Sequence, residues 1–206
     1  MGSDSNRSVY SYYQPADTLF SYAQGFLKNN GSNPWMLYLH LMEPHDPYFE
    51  HPILSGGEQE YSGLAYGRKE HEHPDPNKTA EIKDLYKQEV EFLDRKLGVF
   101  FQYLRDENLY DNTWIVLVSD HGEEFWDTGP FLGHGASTMV DHRVRVPLVT
   151  CGIPIENKRL THTSNAMIWP TVMDWLSEGA IDFRRYPQIP SSFLQESPNT
   201  VASYSL

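Results

Sequence analysis

Four positions carry groups able to do chemistry in settings that favour it: His45, Asp120, His121 and His134. Asp120 and His121 come directly after the apolar run Trp114-Ile115-Val116-Leu117-Val118 and Ser119, and Gly122 follows them. A hard carboxylate oxygen beside a borderline imidazole nitrogen suits a divalent cation that stays open to substrate. Gly122 allows a sharp backbone turn just beyond the pair. His45 lies in Pro44-His45-Asp46-Pro47, where two prolines fix the backbone and forbid regular pairing. It reads as a ligand or substrate contact, or as a turn histidine bonded to a neighbouring carbonyl. His134 stands between Gly133 and Gly135, which let the backbone approach another group and project one imidazole. The plainer alternative is a lid with an incidental histidine. His71-Glu72-His73 has the look of a metal tract, but an exposed polar face accounts for it better. His40, inside an apolar run, reads as a core histidine.

These residues need a scaffold, and the hydrophobic pattern supplies one. The Trp114–Val118 run predicts a strand buried on both faces, as in a parallel sheet. The polarity reverses at its C-terminal end, the edge where ligands bind in open α/β sheets. Trp35–Leu41 and Val146–Thr150 predict two more buried strands, the first running straight into Pro44-His45. Ala16–Asn30 has Leu19, Phe20, Ala23, Phe26 and Leu27 at helical spacing and ends at Asn29-Asn30-Gly31. Thr79–Asn108 predicts the longest helix, with an apolar stripe from Ile82 to Leu104 and a start capped by Asn77 or Thr79. Asp141 and Arg145 are spaced to pair across one helical turn. Thr163–Ser177 reads as a final helix, with Pro170 in its first turns or kinking it. The expected organisation is a single domain over 1–206, with a loop insertion at 50–78 that would lie over the site. An irregular tail follows at 180–206, with an edge strand near Thr200–Tyr204.

Composition limits the partners. A formal charge of -12 with no basic stripe argues against nucleic acid. An acidic protein handling anionic esters needs a local positive centre, which a metal ion provides. The single cysteine, Cys151, excludes an internal disulfide and reads as a small buried hydrophobe. No apolar run approaches the ~20 residues of a membrane span. Met1-Gly2-Ser3-Asp4-Ser5 is polar and is not the start of an apolar secretory signal.

Taken in order, several segments resemble the sulfatase family of the alkaline phosphatase superfamily. They are Met36–Tyr48, Tyr86–Asp94, Ser119-Asp120-His121-Gly122-Glu123, Gly133-His134-Gly135, Arg145–Val149 and Pro170-Thr171. The resemblance implies a three-layer α/β/α sandwich with a mostly parallel sheet, incomplete in this chain. It also implies one divalent metal ion, calcium or else zinc or manganese, held by Asp120 and His121. His45 would contact the ester's non-bridging oxygen or leaving group. His134 would steady the transferred group from the opposite wall, and Glu123 would support the turn rather than act as a base. The family's nucleophile lies in a Cys/Ser-x-Pro-x-Arg motif that these 206 residues lack, as they lack the threonine equivalent of related transferases. Met167 stands where the family usually has an acidic residue before Pro-Thr.

Three activities follow as expectations. The first is metal-dependent hydrolysis of sulfate esters, with this chain supplying metal ligands and substrate-contacting histidines but no nucleophile. The second is a phosphoester hydrolase or phosphoethanolamine-type transferase, since an Asp-His metal pair leans toward zinc or manganese. The third is a non-catalytic domain that uses the cleft to bind. An apolar edge left open by an incomplete sheet would also invite self-association.

Overall fold

The computed structural model describes residues 14–46, 48–49, 65–66, 75–129, 132–134, 140–152 and 165–178. His51, His71, His73 and the edge strand expected near Thr200 lie outside them. The chain divides into two compact units, 1–112 with 123–136 and 113–122 with 137–206.

The first unit is built on two helices, α1 (Ala16–Asn30) and α2 (Thr79–Asp106). Helix α1 buries Ala16, Phe20, Ala23 and Leu27, a stripe at steps of three and four. Phe20 stacks on Phe100 of α2 with ring centroids 4.9 Å apart. Lys96 of α2 reaches Asp17 in the first turn of α1 at 3.5 Å. The side chain of Glu43, itself buried, accepts the Ala16 N–H at 2.9 Å and so caps the first turn of α1 from a distant loop. At the other end α1 stops at Gly31, which has ordinary right-handed geometry; a Cβ there would lie 2.8 Å from the Leu27 carbonyl oxygen.

Helix α2 is entered through a short 3-10 turn, Pro76–Lys78. Asp75 caps that turn, its carboxylate accepting the Asn77 N–H at 2.9 Å. The cap is therefore Asp75, not Asn77 or Thr79; an Asp just before Pro at the first helical position is well placed for it. The helix ends at Asp106, and Asn108 adopts φ 56, a left-handed conformation that Asn tolerates. Buried Ile82 belongs to a second cluster with Tyr48, Phe125 and Leu132, flanked by Leu85, Tyr86 and Trp126.

That cluster is held by two small antiparallel pairs. Strand β1 (Tyr48–Phe49) pairs with β2 (Ala65–Tyr66), and β4 (Glu124–Phe125) pairs with β5 (Leu132–Gly133). The turn after β4 is fixed by its own side chains. Asp127 accepts the Phe125 N–H at 3.0 Å and the Lys83 ammonium at 2.6 Å, and Glu124 accepts both the N–H and hydroxyl of Thr128. Trp126 is thereby held at φ 58, an uncommon conformation for a bulky residue.

The strand expected at Trp35–Leu41 does not form. Its residues alternate between half-buried and exposed, with Tyr38 at 80% exposure, and His40 is exposed rather than a core histidine. Period-two burial with no ladder beside it among the described residues marks a segment covered on one face.

In the second unit, strand β3 (Ile115–Val118) pairs with β6 (Leu148–Cys151) in register from Ile115 opposite Cys151 to Val118 opposite Leu148. The pairing is antiparallel, and no parallel pair occurs among the described residues, so the mostly parallel sheet expected from the sequence is not seen there. An apolar run carries no information about strand direction. A parallel neighbour is usually reached through a crossover helix, and among the described residues the helix between β3 and β6 is the single turn α3 (Asp141–Val144). Burial on both faces is not observed either: β3 is half-buried, with Val118 exposed. Arg145 reaches back to Asp141 at 3.7 Å, as their spacing predicts. Helix α4 (Ile168–Glu178) carries Pro170 in its first turn and sets Trp175 against Trp114 with ring centroids 5.3 Å apart. Cys151 lies on β6, half-buried.

Candidate active site

Each unit contributes one group of polar residues. In the first unit, His45 sits in a turn closed by its own N–H donating to the Met42 carbonyl at 2.6 Å. Its Nδ1 lies 2.7 Å from the Asp46 carbonyl oxygen and 3.1 Å from an Asp46 carboxylate oxygen. Both are pure acceptors, so Nδ1 carries the proton and Nε2 is the basic nitrogen of the neutral ring.

His134 follows β5 immediately, where Gly133 at φ 98 turns the chain outward. Its Nδ1 lies 3.2 Å from Glu123 Oε1. The other Glu123 oxygen accepts the Tyr48 hydroxyl at 2.8 Å. Glu123 is nearly buried at 6% side-chain exposure, while the two histidines keep about a third of their surface in solvent, at 33% and 30%. The His45 and His134 rings meet with centroids 5.2 Å apart at 59°. Burial pushes the Tyr48 phenol far above its ordinary ionisation range, and the Glu123 charge and hydrogen bond push the same way. Tyr86 is raised by the same causes, burial first and the Glu123 charge second. Both phenols therefore remain neutral, and Tyr48 donates to the carboxylate.

In the second unit, Asp120 and His121 occupy the end of β3. Asn165 donates to the Ser119 carbonyl at 2.8 Å, and the Ser119 hydroxyl donates to the His121 carbonyl at 2.6 Å. Gly122 donates to the Arg143 carbonyl at 2.7 Å. An ideal Cβ on Gly122 would stand 2.1 Å from the His142 carbonyl oxygen, so close approach is the reason glycine is needed there. His121 Nδ1 is 3.0 Å from the Gly122 carbonyl, which leaves Nε2 as the basic nitrogen. Asp120 Oδ2 lies 3.7 Å from that Nε2. Two anionic or lone-pair atoms so close, with a backbone bond fixing the imidazole tautomer, fit two ligands of one divalent cation. Among the described residues no group of three or more His, Cys, Asp or Glu side chains converges in this way.

The structure thus brings together His45 and His134 in one unit and Asp120 and His121 in the other. Sequence reasoning missed Asp46 and Tyr48, and it took Glu123 for a turn support. The available signal was Asp46 directly after His45; nothing beside His134 in the sequence points to Glu123, 11 positions away.

The sulfatase family model matches residues 2–178. The chain belongs to the sulfatase family. It is 29% identical over 168 residues to steryl-sulfatase of Rattus norvegicus, a match covering 75% of this chain and 25% of that protein. It is 25% identical over 162 residues to choline-sulfatase of Rhizobium meliloti (strain 1021), covering 68% and 31%. The chain therefore spans about a quarter to a third of the length of these curated relatives. Sulfatase membership implies an alkaline-phosphatase-like α/β fold. No helix among the described residues is long and apolar enough to cross a membrane.

Proposed function

We propose that this chain supplies part of the active site of a metal-dependent sulfate-ester hydrolase built as a three-layer α/β/α sandwich. Asp120 and His121 hold the divalent ion, which when bound offsets negative charge on the ester. His45 and His134 contact the group in transfer, each presenting Nε2 because its Nδ1 is bonded to an acceptor. Sulfuryl transfer passes through a loose transition state with charge spread over peripheral oxygens, and fixed donors stabilise that charge. The nucleophile is not among these 206 residues, so the isolated chain is inactive. The names steryl-sulfatase and choline-sulfatase point to an organic sulfate monoester as substrate class.

The observation that carries this reading is the His45–His134 pair within a sulfatase sequence, each ring oriented by its own acidic neighbour. The test is hydrolysis of an aryl sulfate by the complete hydrolase containing this chain. His45→Ala is expected to retain metal and lose turnover by ~10²-fold. Unaltered turnover in that variant returns His45 to a turn residue. Phosphoester chemistry is a second reading, favoured by the Asp-His pair at the metal position; an aryl phosphate turned over faster than an aryl sulfate would select it.

A further inference from the structure

The geometry points to Tyr48 and Glu123 as positioning residues that set the tautomer of His134. This deepens the proposed function, on which it rests only for the reason that the second nitrogen of His134 matters. Glu123 offers two oxygens, one to His134 Nδ1 at 3.2 Å and one to the Tyr48 hydroxyl at 2.8 Å. A carboxylate alone can rotate. One whose second oxygen is held by a fixed phenol cannot do so without breaking that bond. Tyr48 is fixed: it is fully buried, edge-on to Tyr86 at 5.6 Å and tilted against Phe125 at 6.0 Å. Rigidity therefore passes from the aromatic cluster through the phenol and the carboxylate to the imidazole.

A carboxylate is a costly group to bury, and apolar side chains fill such a space with less desolvation. Here its acceptor face is spent on one imidazole nitrogen. Because Glu123 only accepts, Nδ1 must be the protonated nitrogen. Nε2 is then the atom that meets the ester group. Protonated, it donates to an anionic oxygen, with Glu123 balancing the imidazolium charge. Unprotonated, it accepts a proton. Tyr48 touches neither substrate nor reacting atoms and acts through Glu123.

The test is 15N NMR of the imidazole nitrogens in the 206-residue chain at about pH 8, above the ordinary imidazole range. His134 signals are assigned by their loss in His134→Ala. The wild type is expected to show the Nδ1–H tautomer. In Glu123→Gln one oxygen becomes an amide NH2. The Tyr48 hydroxyl keeps the remaining oxygen, the NH2 faces Nδ1, and His134 shifts to the Nε2–H tautomer. In the double variant Y48F/E123Q the amide turns its oxygen back to His134 and the Nδ1–H tautomer returns. A purely structural role for Tyr48 would change stability and leave the tautomers of the single and double variants alike, which overturns the inference. An Nε2–H wild type overturns it whatever the variants do, including the case in which Glu123→Gln does not fold. Neither metal loading nor ester hydrolysis enters these readouts, so loss of the sulfatase reading and loss of this one are distinguishable.

Discussion

His45 and His134 face each other with ring centroids 5.2 Å apart, although one follows a proline turn near the start of the chain and the other ends a hairpin. Each is turned the same way, Nδ1 toward an acidic neighbour and Nε2 away from it. Two imidazoles so arranged offer a pair of matched nitrogens, a geometry suited to an anion with several equivalent oxygens.

The Asp120–His121 pair predicts a metal dependence that needs no substrate. His121→Ala removes one proposed ligand and Asp120→Asn removes the charge of the other, and either should weaken zinc, manganese or calcium binding by at least ~10-fold. Calorimetric titration with each ion checks this. Affinities equal to wild type in both variants would remove the pair from the metal site.

Gly122 predicts a steric penalty. A methyl group there meets the His142 carbonyl oxygen at 2.1 Å, a backbone atom that cannot simply rotate away. Gly122→Ala should destabilise the packing of the turn after β3 against α3 by about 1–3 kcal/mol. Faster amide exchange at Gly122 and Arg145, whose N–H groups bond the Arg143 and Asp141 carbonyls, is the expected signature. Exchange unchanged at both would show that the turn relaxes without cost.

The phenols of Tyr48 and Tyr86 predict an alkaline limit. Both are raised, by burial first and by the Glu123 charge after it. A raised folded-state value means that the folded chain keeps its proton where the unfolded chain releases it. Their contribution to stability is full below the unfolded tyrosine value of about 10 and is lost as pH rises beyond it. Urea midpoints should fall steeply above that pH, and less steeply in Tyr48→Phe, which has no proton to release. Identical alkaline slopes for the two proteins would contradict the burial of this hydroxyl.

Phe20 predicts how firmly the two helices of the first unit are joined. It is 4% exposed and stacks on Phe100. Phe20→Ala should cost ~3–5 kcal/mol, transfer and cavity together. Denaturant unfolding followed by circular dichroism measures it, and a loss below about 1 kcal/mol would mean that α1 does not depend on this contact.

Much of this was legible in the chain's own pattern. Helices α1 and α2 announce themselves through stripes such as Phe20, Ala23 and Leu27, because a 3.6-residue period is a local property. The proline brackets of His45 and the glycine before His134 likewise marked positions of backbone constraint. Strand pairing was not legible. Ile115–Val118 reads alike whether its neighbour runs parallel or antiparallel, and Trp35–Leu41 reads as a strand although no ladder forms beside it. Nor were the partners of the histidines. Tyr48 and Glu123 are 75 positions apart, and their bond arises from the hairpin packing on α2, which no local period encodes.

Glu43 carries a consequence for how the polypeptide may be cut. Its carboxylate ties the opening turn of α1 to the residue before Pro44-His45. Shortening the gene to begin beyond α1 would strand that carboxylate without the amide it serves. The loss would reach the neighbouring turn of His45, so α1 belongs in any fragment meant to keep that turn in place.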